Sequence, residues 1–356
     1  MNILKDVLSL PTAPFHEEFV SDYVSKFCKK LNVSLRKDKY GNLIAHYKLG
    51  QAKQPVILTA HMDHPGFEIA AVKNGRLCTG ILGGIKPEYF DGAKVCIMTS
   101  GGIIKGKVAG KLGNKKWHGK HIFEIKAKNG YKAKSGNFGW YDIPPFRISG
   151  GLLYTKGADN LVSAAALLEL LHYLKRNKIA ADVRCLFTRA EEVGFIGCVA
   201  FSKSVQLPRN APIIVLECSS ASAGGVKIGS GPVLRVGDKM SCFTPEIDCW
   251  LKSISNDLAK KNKKFKFQRA LLSGGTCEAS VWTINGRKVG GLAFPLGNYH
   301  NNGRKNYAPE FISISDYKLM QKLLVQIIRA GNYKEAIKKT GAGIFKNYRD
   351  WVSKLC

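Results

Sequence analysis

Acidic residues are scarce in this 356-residue chain, which has 26 aspartates and glutamates against 55 lysines and arginines and a net charge of +29. Region 67–150 alone has fifteen basic and five acidic residues. Two stretches, 113–134 and 260–269, mix lysines with aromatic residues, a composition that can grip phosphate backbones. Such runs are more often the solvated faces of ordinary strands and helices. Polyanion binding therefore stays an alternative, and nucleic acid is not an expected partner.

Several other features are missing as well. The ten cysteines are scattered and include no CxxC pair, which argues against a closed structural zinc site and against a disulfide framework. Apolar runs stay well short of the roughly 18 residues that a transmembrane helix needs. The N-terminal segment lacks the basic start and long apolar core of a signal peptide. We therefore expect a cytoplasmic protein with reduced cysteines and no membrane partner.

Carboxylates and histidines follow short apolar runs at several points in the chain. His61 and Asp63 follow PVILTA, Glu191 and Glu192 follow DVRCLFTRA, and Glu217 ends APIIVLE. Apolar runs of this length between polar turns predict strands buried on both faces, as in a parallel sheet covered by helices. Ligands gather outside the carboxyl ends of such strands. These side chains are therefore expected at one edge of a sheet.

Asp159 and His300 complete the set. Asp159 stands in KGADN, just before a helical pattern at 161–176, and His300 ends NYH at 298–300. A mixture of histidine, aspartate and glutamate is typical of a catalytic metal site with an open position. A carboxylate that bridges two ions roughly 3.5 to 4 Å apart lets them polarise a carbonyl and activate water, and Asp159 is the candidate bridge. The sequence predicts a two-metal hydrolase site.

These motifs resemble the glutamyl and deblocking aminopeptidases, dinuclear zinc or cobalt enzymes of the tetrahedral (TET) type whose subunits build hollow twelve-subunit particles. The resemblance runs from KDKYGNLIA at 37–45 to about Leu324. HMDHPG at 61–66 reproduces the family's HxDxxG motif, and EEVGFIG at 191–197 reproduces EEVGxxG. The full set is specific, although each motif alone would be weak.

The resemblance implies a role for each of these residues. Glu191 would be the general base that takes a proton from the attacking water and passes it to the leaving amine. Asp63 would orient the ring of His61. The implied cofactors are two divalent ions per subunit, zinc in first place with cobalt or manganese as alternatives. Asp159 would bridge them, and the remaining ligands would be His61 and Glu217 for one ion and Glu192 and His300 for the other.

Three positions depart from the family pattern. Glu217 stands where the family usually has aspartate, which adds a methylene to one ligand. Asn160 stands where a second aspartate is frequent. The loop LGNYHNNGRKNYAPE at 296–310 is longer than usual, is rich in glycine and asparagine, and lacks an arginine shortly before His300. We expect this loop to shape the substrate pocket.

Length and patterning predict more than one domain, because single cores stop growing at about 250 to 300 residues. Short alternating runs between glycine-rich turns in 67–150 predict an all-β insert. Its position matches the β-barrel domain that the family uses for association. The expected fold is α/β, a mixed central sheet covered by helices of the zinc-exopeptidase type with this inserted barrel. Residues 1–66 and 151–331 would form the catalytic domain, 67–150 the oligomerisation domain of a homo-oligomer, a dodecamer by resemblance, and 332–356 a helical tail.

Other functions remain open at this point. A deacylase or carboxypeptidase could use the same site with a different pocket around His300. A polyanion-binding protein with an inactive site is disfavoured by the intact Glu191, and a glycosidase is disfavoured because the carboxylates are grouped with histidines rather than placed as a pair about 5 to 9.5 Å apart. For His64, beside the HxDxxG motif, an exposed position and a functional role both stay open. Lone histidines elsewhere are assigned no function.

Overall fold

A computed structural model of the chain describes residues 3–52, 54–204, 207–221 and 225–355, without the side chains of 115, 339–340 and 343–344. Within these ranges a sheet of eight strands forms the centre of the molecule. In order across the sheet the strands are β1 (Ser34–Lys37), β2 (Leu43–Leu49), β12 (Ala181–Thr188), β3 (Pro55–His61), β13 (Ile213–Ser220), β16 (Val289–Leu296), β14 (Val233–Asp238) and β15 (Gln268–Leu272).

The sheet is mixed, as the sequence predicted. β12, β3, β13 and β16 are parallel neighbours, whereas β2 and β14 are antiparallel to the strands beside them in this group. His61 pairs with Thr188 in register, so β3 and β12 end at the same edge. Val56 and Leu58 belong to one hydrophobic core and Ile57 to another, which explains the continuous apolar run.

Helices cover both faces of this sheet. The main core involves α1 (Ile3–Ser9), α2 (Glu18–Leu31), α4 (Leu161–Arg176), α6 (Pro245–Lys261) and α8 (Ile314–Arg329). The second core involves α5 (Ile196–Ser204) and α7 (Glu278–Ile284). The helical pattern of the sequence at 161–176 is confirmed, with α4 occupying those residues. A last long helix, α9 (Tyr333–Trp351), contacts α6.

A closed antiparallel barrel lies between β3 and β12 in the chain. Its strands are β4 (Gly66–Lys73), β5 (Arg76–Leu82), β6 (Lys94–Thr99), β7 (Gly102–Trp117), β8 (Lys120–Ala127) and β9 (Phe138–Tyr141), with the short helix α3 (Pro87–Phe90). Phe67, Phe90 and Phe123 pack in a core of its own. The predicted fold class, a mixed sheet among helices with an all-β barrel, is thus confirmed.

A small sheet supports the loop that carries Asp159. It consists of β10 (Arg147–Ser149), β11 (Leu152–Thr155) and β17 (Glu310–Ser313). Thr155 at the end of β11 pairs with Glu310 at the start of β17, so the loop 156–160 begins beside Glu310. In the described part of the chain, no helix is both long and apolar enough to cross a membrane, and every described cysteine is free.

Candidate active site

Three of the candidate ligands meet at the carboxyl edge of the central sheet. His61 ends β3, Glu217 lies in β13, and Asp159 lies between β11 and α4. The Nε2 atom of His61 is 3.6 Å from Oδ1 of Asp159 and 3.7 Å from Oε2 of Glu217. All three side chains are buried. Parallel strand ends and the loop before α4 therefore bring the three ligand types to one point.

His300 and Glu192 lie on the other side of Asp159. The Nε2 atom of His300 is 3.1 Å from Oε2 of Glu192 and 3.9 Å from Oδ2 of Asp159. Asp159 thus turns one oxygen toward His61 and the other toward His300. The backbone at His300 and Asn301 has φ values of 55° and 59°, in the left-handed region that asparagine tolerates better than most residues. The asparagine-rich loop therefore suits the turn that aims His300 inward.

The chemistry of this cluster fits divalent cations. Ligand atoms about 2.1 Å from a shared zinc ion lie roughly 3.4 Å from one another, close to the separations seen here. Four buried atoms of the cluster have no hydrogen-bond partner among the described residues: Asp159 Oδ1, Glu192 Oε1, Glu217 Oε1 and His300 Nε2. Buried polar atoms without partners are costly, and metal coordination would satisfy all four. Two groups of three ligands share Asp159: His61, Asp159 and Glu217, and Asp159, Glu192 and His300.

Burial and neighbouring charges shift the pKa values of Glu191 and His300. Burial raises the pKa of Glu191 well above its ordinary value, and the nearby carboxylates Glu217 and Glu192 raise it further. Burial lowers the pKa of His300, but the charges of Glu192 and Asp159 outweigh it and raise that pKa to about 9. Carboxylates crowded in a low-dielectric site favour the presence of cations.

Asp63 contacts both the His61 ring and the segment that carries the two glutamates. The Oδ1 atom of Asp63 lies 3.4 Å from Nδ1 of His61, which also lies 3.1 Å from the carbonyl oxygen of Asp63. A proton on Nδ1 leaves the lone pair of Nε2 directed at the cluster. The backbone N–H groups of Glu191 and Glu192 donate to the two oxygens of Asp63 at 3.0 and 3.1 Å. Sequence reasoning predicted the first contact and missed the second.

The turn at residues 189–197, which contains Glu191, is held by hydrogen bonds to Glu17 near the N-terminus. Arg189 donates from Nε to Oε2 of the buried Glu17 at 2.6 Å, and the N–H of Ala190 donates to Oε1 at 2.8 Å. Gly197 closes the turn, because a side chain there would lie 2.4 Å from the carbonyl oxygen of Arg189. These contacts fix where β12 ends and where Glu191 points. The sequence signal for this turn is the last glycine of EEVGFIG. No feature of the sequence indicated that Glu17 takes part.

His64 is buried, so the alternative of an exposed position is excluded. Its Nδ1 atom contacts the carbonyl oxygen of Asp159, and its Nε2 atom lies 3.0 Å from Oδ1 of Asn301. His64 therefore links the loop that carries Asp159 to the loop that carries His300. Asn160 is fixed as well, because its side-chain amide donates to the carbonyl oxygen of Leu216 at 2.7 Å.

Glu310 is a buried carboxylate that the sequence did not reveal. One of its oxygens accepts from the N–H groups of Ala158 and Asp159 at 2.6 and 3.0 Å, and the other accepts from the N–H of His300 at 2.7 Å. Burial raises the pKa of Glu310 to about 8. A single carboxylate thus holds the backbone of two candidate ligands from different loops.

We expect Glu310→Gln to weaken metal binding by about 10- to 100-fold, because the amide group turns a donor toward backbone N–H groups that need an acceptor. Titration of the metal-free protein with zinc in the presence of a competing chelator measures this change. Glu169→Gln, which alters a partly buried glutamate farther along α4, is the matched control and should bind zinc like the wild type. Equal zinc affinity of the Glu310 and Glu169 variants would contradict the assignment.

A small cavity of about 240 Å³ opens from the cluster on the side of Glu217. Its wall includes Cys218, Cys277, Tyr299 and the guanidinium of Arg235, which is only 2% exposed. Arg235 donates from Nε to Oγ of Ser219 at 2.9 Å and from Nη2 to the carbonyl oxygen of Cys218. Its Nη1 atom has no partner among the described residues. Arg235 therefore brings a buried positive charge to the wall of this cavity.

Sequence comparison with known proteins finds a matching family and a related enzyme. The chain matches the family described as M42 glutamyl aminopeptidase over residues 41–323. It is 25% identical over 322 residues to a lysyl aminopeptidase of Pyrococcus furiosus, covering 84% of this chain and 90% of the relative.

Solved structures share the fold. A TET aminopeptidase from a marine sediment archaeon of the Thaumarchaeota superposes with a TM-score of 0.78 at 21% identity, covering 94% of this chain and 98% of the other. The TET1 peptidase of Pyrococcus horikoshii, which can assemble into a tetrahedron or a large octahedral shell, has a TM-score of 0.76 at 22% identity, covering 92% of this chain and 98% of the other.

Proposed function

The chain belongs to the M42 glutamyl aminopeptidase family and is a peptidase, and on this premise we propose that it removes the first residue of peptides by hydrolysis that depends on two divalent ions. The observation that carries the proposal is the placement of Asp159 between two groups of ligands. His61 lies 3.6 Å from Oδ1 of Asp159 and 3.7 Å from Glu217. On the other side, His300 lies 3.9 Å from Oδ2 of Asp159 and 3.1 Å from Glu192. A shared carboxylate between two ligand groups is what a two-ion site requires.

Divalent cations in such a site supply the Lewis acidity that polarises a peptide carbonyl and makes water reactive near neutral pH. Glu191 is the proposed general base. Its Oε2 atom is 3.8 Å from Nε2 of His61, at the rim of the ligand cluster, and it lines the small cavity. The raised pKa of Glu191, caused first by burial, favours a carboxylate that accepts a proton from water and returns it to the leaving amine.

Asp63 and Glu310 position these groups. Asp63 holds the His61 ring and the backbone of Glu191, while Glu310 holds the backbone of Asp159 and His300. Zinc is the proposed ion, with cobalt or manganese as alternatives, because imidazole and carboxylate ligands accept all three.

The position of Arg235 supports a preference for peptide substrates whose first residue is acidic. The small cavity has room for about one side chain and borders Glu191 and Glu217. A glutamate or aspartate side chain there would lie beside the buried positive charge of Arg235. The name of the Pyrococcus furiosus relative specifies lysine, so this pocket would select the opposite charge.

The barrel is proposed as a separate oligomerisation domain, residues 67–150, between the two parts of a catalytic domain formed by 1–66 and 151–331. The independent barrel core and the tetrahedral assembly of a TET relative support this division and a homo-oligomer, and the dodecamer of the TET relative PhTET1-12s supports twelve subunits. Residues 332–356 are proposed as a helical C-terminal tail.

The experiment that tests the function uses the metal-stripped protein reloaded with zinc, cobalt or manganese. Aminoacyl-p-nitroanilides of glutamate, aspartate, leucine and lysine are the substrates, each with its N-acetylated counterpart. We expect metal-restored cleavage of the free-amine compounds only, fastest for the acidic pair. Cleavage of the acylated compounds alone would identify a deacylase instead.

The same panel tests the role of Arg235. Arg235→Met keeps a long side chain but removes the charge, and we expect the ratio of kcat/KM for glutamyl over leucyl substrate to fall at least about tenfold. Arg235→Lys should retain part of the preference. An unchanged ratio in the Met variant would remove Arg235 from substrate selection while leaving the peptidase assignment intact.

A further inference from the structure

A second and larger cavity of about 580 Å³ is lined by Glu192, the candidate ligand that contacts His300. Most of its wall is apolar and is formed by Phe15, Ile81, Leu82, Trp117, Val193 and Ile196. Of its acidic members, Glu68 is already paired with His16 at 2.8 Å. The cavity therefore offers a largely apolar lining directly next to a candidate metal ligand.

The barrel builds one wall of this cavity. Trp117 ends β7, and its ring packs against Gly80 of β5, where a Cβ atom would come within 2.0 Å of Cε3 of Trp117. Lys120, at the start of β8, donates from Nζ to the carbonyl oxygen of Gly83 at 2.7 Å. These contacts dock the tip of the β7–β8 hairpin beside the cluster, so the indole has a defined place in the wall.

The other apolar residues of the wall, Phe15, Val193 and Ile196, lie outside the barrel. Phe15 and Ile196 are each 48% exposed, although both are large apolar residues. Val193 follows Glu192 directly in the chain, and Ile196 lies four residues after Glu192. Exposed apolar side chains grouped in a concave surface at a catalytic cluster are typical of a ligand-binding subsite.

Two residues flank the bond that an aminopeptidase cleaves, so two places for side chains are needed beside the cluster. The first residue carries the free amine and needs a pocket with room for one side chain, for which the cavity of about 240 Å³ beside Arg235 is the candidate. The second residue follows the cleaved bond and needs a separate place. The larger cavity, next to Glu192, is the candidate for it.

We propose that the cavity between the β7–β8 hairpin and residues 193–196 binds the side chain of the substrate's second residue and selects apolar and aromatic side chains there. The proposal rests on the proposed aminopeptidase function and assigns to the barrel a part in substrate selection. Withdrawing an aromatic side chain from water into this lining should raise kcat/KM on the order of tenfold or more over glycine at the same position.

The test uses zinc-loaded protein and dipeptide amides in which one residue varies at a time. The first residue is held as glutamate while the second is glycine, alanine, leucine, phenylalanine or aspartate, and then the second is held as phenylalanine while the first varies. Trp117→Ala and Ile196→Ala alter the barrel part of the wall and the part outside the barrel. We expect each to lower the phenylalanine-over-glycine ratio at the second position several-fold while the ranking of first residues stays the same.

Tyr131→Ala is the matched control, since Tyr131 is an aromatic residue of the barrel that is 80% exposed and lies outside the cavity. It should leave both rankings unchanged. Hydrolysis with no dependence on the second residue, or a change in first-residue ranking in the wall variants, would overturn this inference alone. Absence of hydrolysis for every dipeptide amide would overturn the proposed function and this inference with it.

Discussion

Glu191→Gln is expected to lower kcat by a factor on the order of 10² to 10⁴ while the protein keeps both metal ions. The amide has the shape of the carboxylate but cannot accept a proton at neutral pH. Glu191 is the first residue of the turn whose backbone Asp63 fixes, so the substituted side chain should remain in place. Steady-state hydrolysis of a free-amine substrate, together with the metal content of the purified variant, measures the two quantities separately.

The metal content decides between two roles for this residue. Glu191 also forms a possible ligand group with His61 and Glu192, so it has the geometry of a ligand as well as that of a base. Loss of one ion in Glu191→Gln would make it a ligand and contradict its assignment as the base. Glu169→Gln, the control used for Glu310, should retain both activity and metal.

Asp159→Asn is expected to reduce the metal content from two ions to one or fewer and to lower activity by about 10³-fold or more. A neutral amide offers one oxygen and no charge, whereas the bridge needs two oxygens and a negative charge. Loss of about 4 kcal/mol of transition-state stabilisation corresponds to this factor. Elemental analysis after dialysis gives the metal content, and the peptide assay gives the rate.

Thermal unfolding provides an independent measurement of the same change. A ligand at 100 times its Kd stabilises the native state by about 2.7 kcal/mol, so zinc should raise the melting temperature of the metal-free wild type. The rise should be much smaller in Asp159→Asn. Asp316→Asn is a useful comparison, because that buried aspartate accepts from the N–H groups of Gly229 and Gly231 and contacts no candidate ligand. It should lower stability and still respond to zinc; a full zinc response in Asp159→Asn would argue against a bridging role.

The placement of the candidate ligands could be predicted from the sequence because simple rules of α/β sheets apply to it. Buried parallel strands are recognisable as apolar runs, and their carboxyl ends share an edge. His61 and Glu217 lie at or near such ends, and Asp159 precedes a helix whose bounds were evident from its pattern. Local sequence patterns were sufficient for these residues.

The contacts that hold the ligands in place were not predictable in the same way. Glu310 and Glu17 are carboxylates in stretches without periodicity, and glutamate is rarely buried unless it is paired, so a single sequence favours exposed positions for both. Their burial depends on backbone N–H groups that only the folded chain brings to them. Trp117 was visible only as an aromatic residue within a lysine-rich hairpin, and its position beside Glu192 depends on the docking of the barrel.

The hydrogen bonds of Glu310 also bear on when the protein becomes active during its synthesis. Asp159 is held by a carboxylate 151 residues farther along the chain, and His300 lies in the same late segment. A chain emerging from the ribosome therefore lacks a complete set of ligands until its last part has been made and β17 has paired with β11. The proposed hydrolysis would therefore require synthesis of the chain through β17.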